Sequence, residues 1–403
     1  MSFKSFQLDS RVEQGLHAAG YQKATPIQAA AIPAVMGGHD VIGTAQTGTG
    51  KTAAFVLPIL HNLLAAKKQG SRRTRALIVT PTRELAEQIH GVVQALGKFT
   101  PLHSATVYGG VSMQPQEKAL RQGVEVIVAC PGRLLDHLER GNARLDQVEV
   151  LVIDEADRML DMGFLPSIQQ IIKKLSPQRQ TLLFSATFDG AVEQLAAKTL
   201  RSPQRFSVGT EAPSSTVEHT LYPVAQHRKP GLLERLLKEM TVNSVLVFTR
   251  TKHRADRVTE KIQRAGYAVS ALHSDKSQSQ RKQAMDHFRT GRIKVLVATD
   301  IAARGLDIAS ISHVINFDIP DSATSYIHRI GRTGRAERLG DAFTLVTQED
   351  KATIRDIEKI LGTPIKRRVL EGFNYNEQTE KTAVALPRRR SFNRARPMRA
   401  AFA

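Results

Sequence analysis

The stretch that decides the fold is DVIGTAQTGTGKTAAF, Asp40 to Phe55. A short strand-like run at Asp40–Ile42 gives way to glycines and threonines, then to Lys51-Thr52 and a helical pattern. That order matches the phosphate loop G-x-x-x-x-G-K-[ST], with Ala45 where the pattern's first glycine would stand. Gly48 and Gly50 let the backbone curl, so that amides along Ala45, Gln46, Thr47, Gly48, Thr49 and Gly50 converge on phosphate oxygens. Lys51 is spaced to reach the β- and γ-phosphates of a nucleotide, and the Thr52 hydroxyl to coordinate Mg²⁺. The helix that starts there points its positive end at the same anion. Plain loop chemistry explains the glycines and threonines but not the order of the parts.

About a hundred residues on stands VLVIDEADRML, Val150 to Leu160. An apolar strand ends there in Asp154, Glu155 and Asp157, three carboxylates in four positions, which burial penalises heavily unless something positive is supplied. Strand ends of a parallel sheet share one crevice at the carboxyl edge, so Asp154 can lie beside the distant phosphate loop. Asp154 then holds Mg²⁺, and Glu155 orients or deprotonates the attacking water. Asp157 is left for a structural or coupling role. The metal and Lys51 compensate the charge.

Further outward, short β-rich runs alternate with longer segments whose apolar residues recur at three- and four-residue spacing. Examples are RALIVTP, VEVIVAC and QTLLFSAT in the first half, and SVLVFTR, IKVLVATD and HVINFDIP in the second. The alternation predicts an α/β fold with parallel sheets covered by helices. A polar stretch, SVGTEAPSSTVEH, breaks the rhythm. The expected organisation is a first domain over 1–208, a linker over 209–217, a second domain over 218–370 and a basic tail over 371–403.

The 403 residues exceed one ordinary core, and 57 Lys and Arg against 38 Asp and Glu give a net charge of +19. Such a balance favours a polyanionic partner, nucleic acid first and an anionic membrane second, against a basic protein with no such partner. The lone Cys130 excludes an internal disulfide and a cysteine zinc cluster. The N-terminal residues lack an export-type apolar core, and the longest apolar run is short and contains His61 and Asn62. A cytoplasmic protein without a membrane partner is expected. The tail PRRRSFNRARPMRAAFA carries Arg388, Arg389, Arg390, Arg394, Arg396 and Arg399 without an acid, and its composition predicts disorder. It reads either as a solubilising extension or as a nonspecific phosphate-binding arm. Removing the seven positive charges from Lys381 onward leaves +12, so the basicity is not only the tail's.

Taken together the motifs resemble the DEAD-box RNA helicases of superfamily 2, over nearly the whole chain to about residue 370. In family order stand GYQKATPIQ with Phe6 upstream, AQTGTGKT, PTRELA, Gly109-Gly110, CPGR, DEAD, SAT, VLVFTRT, QSQR, ATDIAARGLD and YIHRIGRTGR. The resemblance implies two tandem RecA-like domains, ATP hydrolysis and local, sequence-tolerant RNA unwinding or remodelling of RNA–protein complexes. It implies that Gln28 reads the adenine edge, with Phe6 on the base, Thr25 nearby and Tyr21 either nearby or merely packing its helix. Arg332 and Arg335 correspond to arginine fingers and Asp307 to a ribose contact. Ser185, Thr187, Asp157 and His328 correspond to groups coupling hydrolysis to the RNA face, though His328 could equally be an interdomain histidine. Thr82, Arg83, Gly110, Arg133, Arg250, Arg281 and Thr299 match positions that hold an RNA backbone.

The chain departs from the family's pattern at Cys130, where threonine is usual, at Ser274, where glycine is common, and at Ala24, where many members have proline. The Cys130 change removes a hydroxyl and puts that RNA contact in question. The basic extension resembles the bacterial RhlE-like subgroup, whose protein partners would be ribosomal or RNA-decay proteins. Two other readings use the same residues: an ATP-gated RNA clamp or chaperone with little unwinding, and a DNA-directed ATPase.

Overall fold

The computed structural model describes residues 1–45, 48–65, 73–188, 190–208, 217–303, 311–334 and 340–375. They form two seven-stranded, all-parallel sheets. The first contains β1 (Val41–Ala45), β2 (Ala76–Val79), β3 (Ser104–Val107), β4 (Val126–Ala129), β5 (Val150–Ile153), β6 (Gln180–Ser185) and β7 (Gln204–Val208). The second contains β8 (Val217–Pro223), β9 (Val245–Thr249), β10 (Val269–Leu272), β11 (Val295–Thr299), β12 (His313–Asn316), β13 (Gly340–Val346) and β14 (Lys366–Arg367). Their spatial orders are β3-β4-β2-β5-β6-β1-β7 and β10-β11-β9-β12-β13-β8-β14. The second order is the first with seven added to every strand, so one architecture is used twice.

β2, β4 and β5 are apolar at every position because both faces are covered. In β2, Ala76 and Ile78 join one core cluster while Leu77 and Val79 join another, and β5 divides in the same way. In β9, Val245 and Val247 face one cluster and Leu246 and Phe248 the next. Alternation of side chains across a strand makes each run the wall between two cores. Among the described residues no helix is long and apolar enough to cross a membrane.

The domain limits shift at two points. Val217, expected in the linker, is buried at the head of β8. At the far end, Leu370, Phe373 and Tyr375 pack against the second domain's core, so ordered chain continues past the expected limit at 370. Aromatic side chains in the otherwise polar GFNYN supply apolar area that the basic segment beyond lacks. The rest of the expected linker, 209–216, and residues 376–403 lie outside the described residues.

Candidate active site

Parallel pairing places the C-terminal ends of β1, β2, β5 and β6 on one edge. β1 ends in the glycine-rich loop, whose Gln46 and Thr47 lie outside the described residues. Gly48 and Gly50 have φ of +89° and +93°. A Cβ on Gly50 would also sit 2.5 Å from the Gln28 amide nitrogen and 3.0 Å from Thr25 Oγ1, so only glycine fits there. Lys51 and Thr52 open the helix Lys51–Ala65. Lys51 is buried, and its Nζ donates to the Ala45 carbonyl at 2.6 Å across the mouth of the loop.

The segment around Gln28 touches the loop directly. Gln28 is 2 % exposed; its Oε1 accepts the Thr25 N–H at 2.9 Å and its Nε2 donates to the Gly50 carbonyl at 3.1 Å. One amide hydrogen and one lone pair remain. Thr25 Oγ1 lies beside them, facing the Gln28 backbone N–H in a capping box. Phe6 is not presented to this space as a free ring face. It is buried in the first core cluster, edge-on to Phe3 at 6.0 Å, and Tyr21 meets Phe3 at 6.1 Å.

At the end of β5 all three acids are buried. Asp154 Oδ1 accepts the Glu155 N–H at 3.0 Å. Burial pushes the Asp154 carboxyl up to about 7, Lys51 drawing it down and Glu155 and Asp157 adding to the rise. Glu155 behaves oppositely: burial alone would raise it, but Arg158, Arg332 and Lys51 together hold it at about 2. Its carboxylate accepts from Arg158 Nη1 at 2.5 Å. Glu155 also has φ of +53°, left-handed backbone that costs a non-glycine residue about 1–2 kcal/mol. Reversing the chain straight after the strand keeps Asp154 and Glu155 both at the edge.

Asp157 is the hub between strands. Its N–H donates to Ser185 Oγ at 3.2 Å, and its Oδ2 accepts from Ala186 N (3.1 Å), Thr187 N (3.0 Å) and Thr187 Oγ1 (3.3 Å). His328 Nε2, from the second domain, lies 3.7 Å from the same oxygen. The four expected coupling residues therefore converge. Arg332 is buried, and its charge reaches Glu155 across the cleft. Arg335 and Asp307 lie outside the described residues.

Next to this site the end of β2 carries Thr82, which caps the helix Arg83–Leu96 by accepting the Leu85 N–H at 3.4 Å. The Arg83 guanidinium lies over Gly110, whose φ of +80° and missing Cβ leave the room (a Cβ would be 1.9 Å from Arg83 Nη1). Arg133 Nη1 donates to the Val111 carbonyl at 3.1 Å, completing a cluster with Arg83 and Gly110. In the second domain Arg250 is half exposed, its N–H donating to Asp318 at 2.9 Å, and Thr299 ends β11. Cys130 precedes the helix Pro131–Glu139 without a side-chain cap, and burial pushes its thiol up to about 12.

Arg281 requires a correction. Its guanidinium is buried and meets Glu84 of the first domain at 2.8 Å, as an ion pair without the alignment of a hydrogen bond. A buried, paired arginine is an interdomain strut rather than a free phosphate contact. Glu84, inside PTRELA, was not singled out; its presence in a motif was the available signal. Arg329 was also missed. It makes paired bonds to Asp300 at 2.7 and 2.6 Å, reaches Asn316 and the Asp318 carbonyl, and lies over the Phe248 ring.

Two copies of a nucleotide-binding fold, with one phosphate loop and basic groups facing it across a cleft, define a RecA-like motor ATPase. The DEAD/DEAH box helicase family matches residues 25–195, and the helicase conserved C-terminal domain matches residues 228–337. The chain belongs to the DEAD-box ATP-dependent RNA helicases. It is 41% identical over 89% of its length to the ATP-dependent RNA helicase CshA of Listeria monocytogenes, 68% of which is covered. It is likewise 41% identical to the DEAD-box ATP-dependent RNA helicase CshA of Bacillus subtilis, over 89% of this chain and 72% of that one. Among solved structures, S. cerevisiae Dbp5 bound to RNA and ADP BeF3 gives a TM-score of 0.82 at 33% identity, covering 91% of this chain and 95% of that one. A Dbp5 variant bound to Nup159, a Gle1 variant, IP6 and ADP gives 0.61 at 32% identity, covering 90% and 96%.

Proposed function

We propose that this helicase is a two-domain switch in which ATP and RNA jointly hold the cleft closed. The carrying observation is that second-domain side chains meet first-domain motif acids, His328 Nε2 lying 3.7 Å from Asp157 and Arg281 2.8 Å from Glu84. The loop amides and Lys51 take the β- and γ-phosphates, and Gln28 reads the adenine edge with its remaining donor and acceptor. Arg332, with Arg335, neutralises charge developing on the transferred phosphoryl group. Asp307 is assigned to the ribose. Phe6, buried in the first core, and Tyr21, partly buried against it, are assigned to the wall of the base pocket.

Mg²⁺ fits the donor set. Asp154 is a buried carboxylate that Lys51 compensates only in part, with the Thr52 hydroxyl at the same edge. Asp154 and Thr52 would hold the ion, which when bound would neutralise phosphate charge. Glu155 orients the attacking water. RNA lies over Thr82, Arg83, Gly110 and Arg133, then over Arg250 and Thr299, with Cys130 lacking the usual hydroxyl. Backbone contacts of this kind are sequence-tolerant and strongly salt-dependent. Asp157, Ser185, Thr187 and His328 transmit closure between the two tracks. Closure bends one strand until local pairing fails, and phosphate release reopens the cleft.

A cytoplasmic setting, and partners among ribosomal or RNA-decay proteins, suit an enzyme with this substrate. The RhlE-like assignment is supported by the basic tail alone. One observation favours the clamp reading beside unwinding. Glu155 is tied to Arg158 at 2.5 Å, so it must shed that partner to act on water, which would prolong the closed state. A strand-displacement assay run beside RNA-stimulated ATPase separates the readings. Displacement in step with closure supports the helicase; brisk ATPase with no displaced strand would establish the clamp. Glu155→Gln should keep ATP and RNA binding while turnover stalls, and wild-type hydrolysis by that variant would remove Glu155 from its role.

A further inference from the structure

The opposite edge of the first sheet carries a second concentration of positive charge, away from the nucleotide cleft. Asp40 precedes β1 and Arg179 closely precedes β6, and the helices Leu165–Ile172 and Gly190–Thr199 end beside them. These chain ends line a recess of about 320 Å³, and its cations are Lys173, Arg179, Lys198 and Arg201. β1 and β6 run parallel, with Val41 beside Leu182, so the recess lies at the amino edge. The length of β1 separates it from the glycine-rich loop and Lys51.

Asp40, the acid of the recess, is occupied by backbone. Its Oδ1 accepts the Thr181 N–H at 2.7 Å and its Oδ2 accepts the Arg201 N–H at 2.7 Å. Among the described residues none of the four cations makes an ion pair. Arg179 Nη1 donates to the Ser176 carbonyl at 2.9 Å, while its Nε is buried with no partner among the described residues. A buried donor left without an acceptor is destabilising. Burial draws the Arg179 pKa down, Asp40 opposing the fall and Arg201 adding to it. The two guanidinium groups therefore stand close enough to repel. Next to Arg201, Ser202 has φ of +43°, left-handed backbone that is unfavourable for a non-glycine residue.

Ordinary helix capping accounts for part of this cluster. Lys173 and Lys198 stand at helix C-termini, each of which carries about half a negative charge. Those two ends and Asp40 together offset about two of the positive charges. The surplus, about two, is what one phosphate group at about −1.5 to −2 balances. The 320 Å³ of the recess equals the share of roughly ten waters, so a phosphate would leave room for a short polar alcohol attached to it. We propose that this recess is a phosphate site, on the sheet edge opposite the nucleotide, that takes free phosphate or a small phosphate monoester. Arg179 donates from Nε, and Arg201 with the two lysines balances the charge. A solvated basic patch would explain Lys173 and Lys198. It would not explain two arginines held together against their repulsion, one of them with a buried donor unmet.

The test is titration calorimetry of inorganic phosphate, and separately of glycerol 3-phosphate, into the full-length protein with ADP–beryllium fluoride and Mg²⁺ filling the nucleotide cleft. Each probe should bind at one site per chain. Tighter binding of glycerol 3-phosphate identifies the monoester as the ligand class; equal or weaker binding identifies free phosphate. Arg179→Gln should weaken binding by about tenfold, and Arg179→Lys should restore only part of the loss. Lys173→Gln and Lys198→Gln, both at exposed side chains, should each weaken it severalfold and serve if Arg179→Gln does not fold. All four variants should keep wild-type RNA-stimulated ATPase, which also shows that they are folded. Wild-type phosphate binding in Arg179→Gln and Lys198→Gln would put the anion elsewhere, on the RNA track or the basic tail, and overturn the site. Absence of binding to the wild-type protein would overturn it too.

Discussion

The two domains have the same strand order and opposite chemistry. In the first, β1 runs into the glycine-rich loop and Lys51 opens the next helix. In the second, β8 occupies the same place in the sheet and Lys229 opens the next helix. Lys51 bonds the Ala45 carbonyl beneath a loop built for phosphate; Lys229 bonds the Phe317 carbonyl with no such loop before it, and burial lowers its pKa. The edge of the first sheet is acidic at Asp154 and Glu155, while the second answers with Arg332. One feature is shared almost atom for atom. Thr82 and Thr251 cap the helices after β2 and β9 with φ of −131° and −129°, accepting N–H groups at 3.4 and 3.3 Å. The same capped corner therefore stands in both halves, while the glycine-rich loop with its lysine stands in one.

The largest effect expected from that asymmetry is at the two lysines. Lys51→Ala should lower ATP turnover by on the order of 10³-fold or more, since the lysine is assigned to the β- and γ-phosphates. Lys229→Met should leave turnover within about twofold and stability within about 1.5 kcal/mol, as a volume-conserving change. Steady-state ATPase and thermal melts check both, and a comparable ATPase loss in the two variants would erase the contrast. Arg332→Ala should cost about 10³-fold in turnover with ATP affinity little changed, measured by kcat and nucleotide titration.

The Glu84–Arg281 pair, which joins the two domains, should matter less than the groups assigned to the chemistry. Each alanine variant should reduce RNA-stimulated ATPase by about tenfold, equivalent to about 1.4 kcal/mol of closed-state stability. A double-mutant cycle should give a coupling of at least about 0.5 kcal/mol, and strictly additive losses would mean that the ion pair does not act across the cleft. The glycines give the smallest contrast. Gly50→Ala should cost about 1–2 kcal/mol in backbone strain and weaken ATP binding. Gly231→Ala, in a helix with room for a methyl group against Phe373, should raise the second domain's stability by up to about 1 kcal/mol. A melting temperature lowered by Gly231→Ala would show the Phe373 socket to be tighter than its 3.6 Å contact implies.

Much of this was legible residue by residue. The uniformly apolar β2, β4 and β5, and β9 up to Thr249, announced parallel strands buried on both faces, and the order of Gly, Lys and Thr after β1 announced a phosphate loop. β7, β8 and β14 were not legible, because edge strands such as QRFSV and the mixed run VEHTLYP carry polar residues that break the apolar pattern. Convergence of Ser185 and Thr187 on Asp157 was expected from the motifs, but Arg281 was assigned to RNA, since an arginine in a motif looks the same whether it faces phosphate or carboxylate. Phe373 and Tyr375 were grouped with the tail, because two aromatics among asparagines fall below any periodicity.

The sequence alone determined the architecture and the chemistry of the loop, since strand burial and phosphate binding depend on local order and spacing. Only the tertiary structure decided which charges meet: Glu155 with Arg158, Glu84 with Arg281, Asp157 with His328, and Arg228 with the backbone at Asn374. Coulombic pairing depends on distances that chain folding creates between remote segments, and residue order does not encode those distances locally.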